Sequence, residues 1–600
     1  MIYQTYQHNV ALAKAEIQRL SKAINQNSLA RLAVILGGGA LLFYSFQQNS
    51  IGLVLGLTLF IVLLFAFLVN RQSKLEKHRE GQQAFLRVNE NELELAKHRK
   101  TIYSEGGTFE DGKHPYTSDL DIFGPFSLFT LLNRCATGMG VLQLADWLRK
   151  AASKGEILER QSAAKEIAND LEWSQRFQSK LIFNLGQEWE AKAFLQKYFI
   201  DSALQFGNAF MRLYVTVAPF ILLAGVFYSV FVQPIWGLVI GLALIHLFWT
   251  LGMAGRVGLF SSKIDKVGQV LMAYAEGIAC IEGRSFKAAK LKAAQEKLLI
   301  DDTKLSRAFK ELATLINHLD ARNNMLMGAL LNMLFLWDFK YVMKIVQWKE
   351  KYQGQVLIAF DVVSEFEAIN SLAILQRNHP DWATPVLLDN PLTDIISTKG
   401  INHPLISTNT AVANDYNSEK HAIALITGSN MAGKSTFLRT IGINAVLAYA
   451  GAVTCSQSFI LPIHQLITYM RIKDSLNEST STFKAELDRM KYILETVEQD
   501  KKSFFLIDEM LRGTNSVDKY LGSRAIIKKL IAYEAKGMVA THDLQLATLA
   551  EEYPGKVQNY HFDIQVKEGE MLFDYKLKDG KCTIFNASML LKGIGVDVES

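Results

Sequence analysis

The chain has 600 residues, of which 49% are hydrophobic and 20% charged, with a net charge of +5 at pH 7. That length exceeds a single core and implies three or four structural units, while the small positive balance neither demands nor excludes nucleic acid, because a local basic face can hide in a balanced total. Its four cysteines, Cys135, Cys280, Cys455 and Cys582, are scattered and form no C-x-x-C pair, which speaks against a disulfide framework or a cysteine zinc site and fits reduced thiols in a cytosolic compartment.

Part of the hydrophobic share lies in four uncharged runs. Residues 32–46 and 51–69 are separated only by Gln47-Gln48-Asn49-Ser50, and residues 213–232 and 235–253 repeat the arrangement around Gln233-Pro234. Each run approaches the roughly 20 apolar residues that span a bilayer, the first being short. A cleaved signal peptide fits poorly, because Lys14, Arg19, Lys22 and Arg31 spread over a long helical lead-in. The hairpin loops carry no Lys or Arg. Arg31, Arg71, Lys74, Lys77 and Arg79 flank the first hairpin, and Arg212 and Arg256 the second. By the positive-inside rule both loops face away from the cytoplasm. The expectation is an integral protein of the inner or plasma membrane, in contact with membrane lipid, with its soluble body in the cytoplasm. Buried helices of a large soluble core are the alternative for both hairpins, more so for the second, whose signal Pro219 and His246 weaken.

Between and after the hairpins the pattern is helical. Residues 71–103 are charged with a helical period, as in a solvated helix leaving the membrane. A turn-rich linker follows, with Gly106-Gly107, Asp111-Gly112 and His114-Pro115. From Ser118 to about Asp201, and again from Arg256 to about Asn378, apolar spacing predicts packed helices. Lys287, Lys290, Lys292 and Lys297 in the latter stretch suit either a solvated face or phosphate contacts.

The chemistry-bearing motifs begin at His421. The run HAIALITGSNMAGKSTFL reads as a buried strand, a glycine-rich turn and a helix, and Gly428, Gly433, Lys434 and Ser435 satisfy G-x-x-x-x-G-K-[ST]. Gly428, Ser429, Asn430, Met431, Ala432, Gly433, Lys434, Ser435 and Thr436 are the expected phosphate cradle. The glycines let backbone N–H groups wrap the β-phosphate, and the helix N-terminus adds its positive dipole end. Lys434 is expected to reach the β- and γ-phosphates, and the Ser435 hydroxyl to coordinate Mg²⁺. Further on, the apolar strand Phe504 to Ile507 ends in Asp508-Glu509. Asp508 is placed to hold Mg²⁺ and Glu509 to polarise the attacking water. A third strand, GMVATHD, ends in Thr541-His542, where a polar residue lies beside the γ-phosphate. Three such strand ends on one sheet agree with ligand binding at strand C-termini in α/β folds. ATP and Mg²⁺ are the implied cofactors and Mg²⁺-dependent ATP hydrolysis the implied activity.

These motifs resemble the MutS family of DNA mismatch-repair ATPases in wording as well as spacing: TGSNMAGKSTFLRT, STFKAELDRM, LIDEMLRGTNSVDKYLGSRA and VATHDLQLA. The likeness extends upstream to SLFTLLNRCATGMGVLQLADWL (residues 127–148) and ILERQSAAKEI, similar to the start of the family's core and lever region, and so covers residues 118–600. It implies an α/β P-loop NTPase domain of the MutS/ABC-like type, C-terminal to an α-helical core and lever region, with the four transmembrane helices in two hairpins added. The implied divisions are 1–103 (N-terminal helix, first hairpin, charged helix), 104–210 (helical core), 211–254 (second hairpin), 255–385 (helical levers) and 386–600 (ATPase domain). The resemblance also implies a composite site, closed only when two ATPase domains of a homodimer pair head to tail. Ser481, in the STF segment, would then reach the γ-phosphate of the partner's ATP. His542 matches the family's switch histidine. Ala411 stands where the family places an adenine-stacking aromatic, and Tyr575 in FDYKLKDG matches a C-terminal position able to supply that stacking instead.

Two departures bear on function. The family's mismatch-reading domain, with its Phe-x-Glu wedge, has no counterpart, and neither does the DNA-gripping clamp, near whose insertion point the second hairpin lies. Two readings therefore stand. In one, a membrane-anchored MutS-like ATPase acts on mismatched, branched or damaged DNA; in the other, a mechanical ATPase moves its membrane helices for a non-DNA client. An ABC-type transporter is disfavoured, because the LSGGQ-type signature is absent and four spans are few. A dead scaffold is disfavoured by intact Lys434, Ser435, Asp508, Glu509 and His542.

Overall fold

The computed structural model describes residues 2–48, 51–186, 191–200, 206–258, 260, 267–300, 303–352, 354–390, 395–407, 409–429, 431–470, 482–567 and 570–582. The chain begins with two long helices, α1 (Ile2–Gln47) and α2 (Ile51–His98). They run antiparallel: Asn9 bonds Asn89, Lys14 pairs with Glu90, Asn27 donates to the Leu68 carbonyl, and Gly38 backs onto Ile61. Near the connecting turn the pair exposes apolar side chains such as Leu36, Phe43, Leu59 and Phe67. Away from the turn both helices become polar and reach the body. The charged helix expected after the first hairpin is thus the unbroken continuation of its second apolar run.

The body begins with α3 (Leu128–Leu132), α4 (Gly138–Arg149), α5 (Lys154–Ala168), α6 (Leu171–Leu181) and α7 (Ala191–Ile200). Ser127, Thr137, Ser153 and Asp170 start the first four by accepting from the backbone N–H three residues on, which satisfies donors the helix leaves unpaired. The second apolar hairpin is α8 (Ala209–Phe231) and α9 (Trp236–Gly252). After it come α10 (Ala254–Gly258), α11 (Val267–Glu282), α12 (Ala289–Glu296), the two-residue strands β1 (Leu299–Ile300) and β2 (Thr303–Lys304), α13 (Leu305–Asp320), α14 (Met325–Phe335), α15 (Trp337–Tyr352) and α16 (Val356–Asn378). Helix α16 is the hub of the helical body: Val356, Phe360, Val363, Phe366, Ile369 and Leu372 are fully buried along it.

Three of these helices are long and apolar enough to cross a membrane, namely α1, α2 and α8. The expected fourth span, α9, is apolar but has 17 residues. His246 in α9 is buried and satisfied, bonded through Nε2 to the Tyr214 hydroxyl and through Nδ1 to the Met333 carbonyl. The described residues of 256–378 form packed helices as expected, apart from the short strands β1 and β2 and from α14, which turns Met325, Leu326 and Leu330 outward.

The C-terminal unit is built on two sheets. Strands β3 (Val386–Leu388), β4 (Ser397–Ile401), β5 (Asn414–Asn417) and β7 (Ser458–Pro462) form a small sheet in the order β3-β7-β4-β5. The larger sheet has the order β12-β11-β6-β10-β9-β8, from β6 (Ile423–Gly428), β8 (Gln465–Tyr469), β9 (Ser503–Asp508), β10 (Lys536–Thr541), β11 (Val557–Lys567) and β12 (Glu570–Asp579). Its strands are parallel except for β12, which returns antiparallel to β11. Strands β6 and β9 are buried at every position, as continuous apolar runs covered on both faces must be. Helix α17 (Lys434–Ala450) covers one face and is itself buried against the helical body, so the sheet and the body share one core. Helices α18 (Thr482–Gln499) and α19 (Ser516–Ala532) cover the other. A short α20 (Leu549–Glu552) precedes β11.

Candidate functional site

Sheet register sets the site. Thr541 of β10 lies beside Thr427 of β6, and Ala540 beside both Ile426 and Asp508, so the C-terminal ends of β6, β9 and β10 reach one edge together. At the end of β6 the chain turns through Gly428 (φ 144°), Met431 (φ 68°) and Gly433 (φ 111°) into α17. A Cβ on Gly428 would stand 2.7 Å from the Phe562 carbonyl oxygen, so glycine is required there by space as well as by φ. The helix starts at Lys434, and its first turn faces the crevice, the geometry that binds phosphate.

Lys434 is buried, and its Nζ donates to the carbonyls of Gly428 at 2.8 Å and Ser429 at 2.7 Å. Burial pulls its pKa down to about 8, against the opposing pull of the Asp508 and Glu509 carboxylates. His542, just past β10, places Nδ1 2.9 Å from the Gly428 carbonyl. The same Nδ1 lies 3.3 Å from Lys434 Nζ, and Nε2 faces Glu509 Oε2 at 3.5 Å. Burial and the nearby Lys434 amine hold the His542 pKa below its ordinary value. Burial alone would raise the Glu509 pKa, but a hydrogen bond from Lys519 and the neighbouring His542 and Arg512 bring it below the ordinary carboxylate range. Arg512 also lies 3.5 Å from Asp508 Oδ2. The sequence motifs did not single out Lys519. Its signal was a cation in the first turn of the helix that follows the Asp508-Glu509 strand.

Lys434, Ser435, Thr436, Met431, Gly433, His542 and Tyr575 line one cleft of about 550 Å³, with Ala432 buried behind it. The opposite wall comes from the small-sheet unit, through Ile401, His403, Ile406, Ala411 and Val412. Tyr575 (φ 51°) is held there by Asn414, whose side chain donates to the Tyr575 carbonyl at 3.0 Å and accepts from Leu577 N–H at 2.8 Å. The cleft therefore has a basic, N–H-rich floor and an upper wall of mixed polarity carrying an aromatic ring, which suits a nucleoside phosphate. Among the described residues no cluster of three or more His, Cys, Asp and Glu could hold a metal. The donors Ser435 and Asp508 suit Mg²⁺, which takes few protein ligands and completes its shell with water and phosphate oxygens. Ser481 and Asn430 lie outside the described residues.

Residues 424–589 match the family model of MutS domain V. The DNA mismatch repair protein MutS of Thermotoga maritima is 31% identical over 235 residues, 38% of this chain and 29% of that protein. MutS of Staphylococcus haemolyticus is 31% identical over 243 residues, 39% of this chain and 26% of its own, and MutS of Aquifex pyrophilus is 33% identical over 225 residues, 37% and 26%. The chain thus spans under a third of the length of these curated relatives. The MutS domain V accounts for the P-loop sheet, the strand-end acids and His542, which all fall inside the matched residues. The helical body N-terminal to it carries the two apolar hairpins.

Proposed function

We propose that the protein is a membrane-anchored MutS-like ATPase that binds and hydrolyses Mg²⁺-ATP and acts on mismatched, branched or damaged DNA. The observation that carries the reading is the meeting of Lys434, Ser435 and His542 in one cleft, with Glu509 against His542, within a MutS domain V. Glu509 is the base that polarises water, Asp508 and Ser435 hold Mg²⁺, and Tyr575 stacks on adenine. Pairing of two ATPase domains, with Ser481 reaching across, completes the site. The exposed apolar side chains of Met431, Val517 and Leu521, on the P-loop and the first turns of α19, support such pairing. Helices α1, α2, α8 and α9 anchor the chain, with the body on the cytoplasmic side.

A second reading, a mechanical ATPase with a non-DNA client, is favoured by one contact. Phe339 of α15 packs on Trp249 of α9 at 5.1 Å between ring centroids, so the helical body ends on an apolar hairpin. Binding to homoduplex, mismatched and branched DNA across a salt series, with and without ATP, separates the two. A preference for mismatched or branched DNA supports the first. No binding to any of the three eliminates it, and a salt slope without structure preference shows phosphate contacts alone.

A further inference from the structure

We infer that α14 (Met325–Phe335) is an additional membrane-contacting helix, one that enters the cytoplasmic leaflet beside α8 and α9 and leaves on the same side. This role rests on the membrane reading of α8 and α9 given above, and adds an element that the four apolar runs do not include.

The sequence of α14, MLMGALLNMLF, has no charged residue. Its one polar side chain, Asn332, is buried and accepts from the Asp338 backbone N–H. Met325 and Leu326 are 88% and 84% exposed, and Leu330 is exposed beside them. In water that face would be an unexplained apolar patch. Its inner side explains what covers the rest: Met333 and Leu334 pack with Leu222 of α8 and with Val239 and Ala243 of α9. The outer face is therefore continuous with the lipid-facing surface proposed for α8 and α9.

One backbone polar group at each end of α14 is paired, as a low-dielectric setting favours. Asn324 accepts from the Met327 N–H at the start, and the last-turn carbonyl of Met333 receives His246 Nδ1 from α9. Topology excludes a crossing. Helices α13 and α15, on either side of α14, belong to the buried core of the helical body, and Arg322 and Asp338 form an ion pair that ties its two ends together. Reading α14 and α15 as one broken span fails for the same reason. The two helices meet at 80°, and Phe339, Val342 and Ile345 of α15 are fully buried among body helices.

The start of α15 has the composition of a membrane interface. Trp337 donates through Nε1 to the His318 carbonyl and packs on Tyr341 at 4.5 Å, and Lys340 and Lys344 are exposed one and two turns further on. An aromatic pair followed by lysines, directly beside an apolar helix, matches the boundary where rings sit at headgroup depth and cations meet anionic lipid. The occupant of the exposed face is lipid, not a second copy of this chain.

The test places a bimane label at Leu326→Cys in the full chain carrying Cys280→Ser, reconstituted in vesicles of phosphatidylcholine and phosphatidylglycerol. Labels at Leu223→Cys in α8 and Leu158→Cys in α5 serve as membrane and solvent references. The label at position 326 is expected to be blue-shifted, quenched by lipid nitroxides placed shallow in the chains and shielded from aqueous iodide. Iodide quenching there equal to that at position 158, with the α8 label still quenched by lipid, overturns the inference and leaves the spans standing. Shielding that comes with a disulfide cross-link between the introduced thiols of two copies, in detergent and vesicles alike, also overturns it. Iodide quenching of the α8 label as well removes the membrane reading of α8 and this inference with it.

Discussion

The Tyr6 hydroxyl donates to Asn378 Oδ1 at 2.8 Å, across 372 residues of sequence, and the Asn378 amide in turn donates to Glu92 Oε2 at 2.8 Å. Tyr6 belongs to the polar end of the first hairpin and Asn378 ends α16, shortly before the C-terminal two-sheet unit begins. This junction ties the first hairpin to the end of the helical body that leads into the C-terminal unit.

Beneath the junction Glu92 and Arg134 form a two-bond pair at 2.5 and 2.9 Å, with both side chains 3% exposed. Removing one member leaves the other charge buried alone, which costs about 3–5 kcal/mol. Arg134→Met is therefore expected to lower the stability of the detergent-solubilised protein by that amount. Lys154→Met breaks the more exposed pair with Asp389 and is expected to change it by about 1 kcal/mol or less. Denaturant titration of both variants measures the difference.

The Lys434 amine, with a pKa of about 8, is expected to set a pH dependence for the proposed nucleotide binding. Phosphate oxygens stabilise the charged amine, so binding raises its pKa and takes up a proton wherever the free site is neutral. ATP affinity is expected to hold between neutral pH and about 8 and to weaken above it, by up to tenfold per pH unit. Calorimetry in buffers of different ionisation enthalpy checks the proton uptake. Lys434→Ala is expected to lose both the binding and its pH dependence.

The parts of this molecule that were legible beforehand are those in which chemistry or solvent forces a local pattern. The tight turn from β6 into α17 needs Gly428 and Gly433 at positive φ, and β6 and β9 must be apolar throughout because both faces are covered. The hairpin of α1 and α2 showed for the same reason, as a long apolar run does not depend on partners. The contact between Tyr6 and Asn378 left no trace, since one tyrosine and one asparagine so far apart have no period to reveal them. The outward apolar face of α14 was hidden because its eleven residues are too few to stand out as a long apolar run. The hold of Lys519 on Glu509 was hidden because a turn of irregular backbone, with Glu509 and Leu511 both at positive φ, brings the two together.

That pair yields a prediction with a sign. With Glu509 as the proposed base, turnover is expected to require its ionised form, and Lys519 is the leading influence that holds its pKa down. Lys519→Met is expected to raise that pKa, so the acid limb of kcat/KM moves to higher pH while activity on the alkaline side changes less. A purely structural role for Lys519 would lower activity at all pH values without moving the limb. Glu509→Ala is expected to keep ATP binding and lose turnover by about 10²–10⁴-fold, the range for a general base. A pH series of steady-state rates, with ATP binding measured separately, distinguishes these outcomes.

The upper wall of the cleft gives the last prediction. The place expected for an adenine-stacking aromatic holds Ala411, which lines the cleft without a ring. Tyr575 lines the same cleft, with its ring parallel to that of Phe573 to within 19° and its backbone clamped by Asn414. Stacking of a base on an aromatic side chain is worth about 1–3 kcal/mol by alanine substitution. Tyr575→Ala is expected to weaken ATP binding by that amount and Tyr575→Phe to leave it nearly unchanged, because the ring and not the hydroxyl makes the contact. Asn414→Ala should weaken binding in the same direction by releasing the Tyr575 backbone, while Tyr575 itself is intact. The comparison of ATP with inorganic triphosphate locates the loss: a base contact predicts that Tyr575→Ala weakens ATP alone, whereas equal weakening of both would assign Tyr575 to the shape of the phosphate cradle, against whose Gly433 its ring also lies.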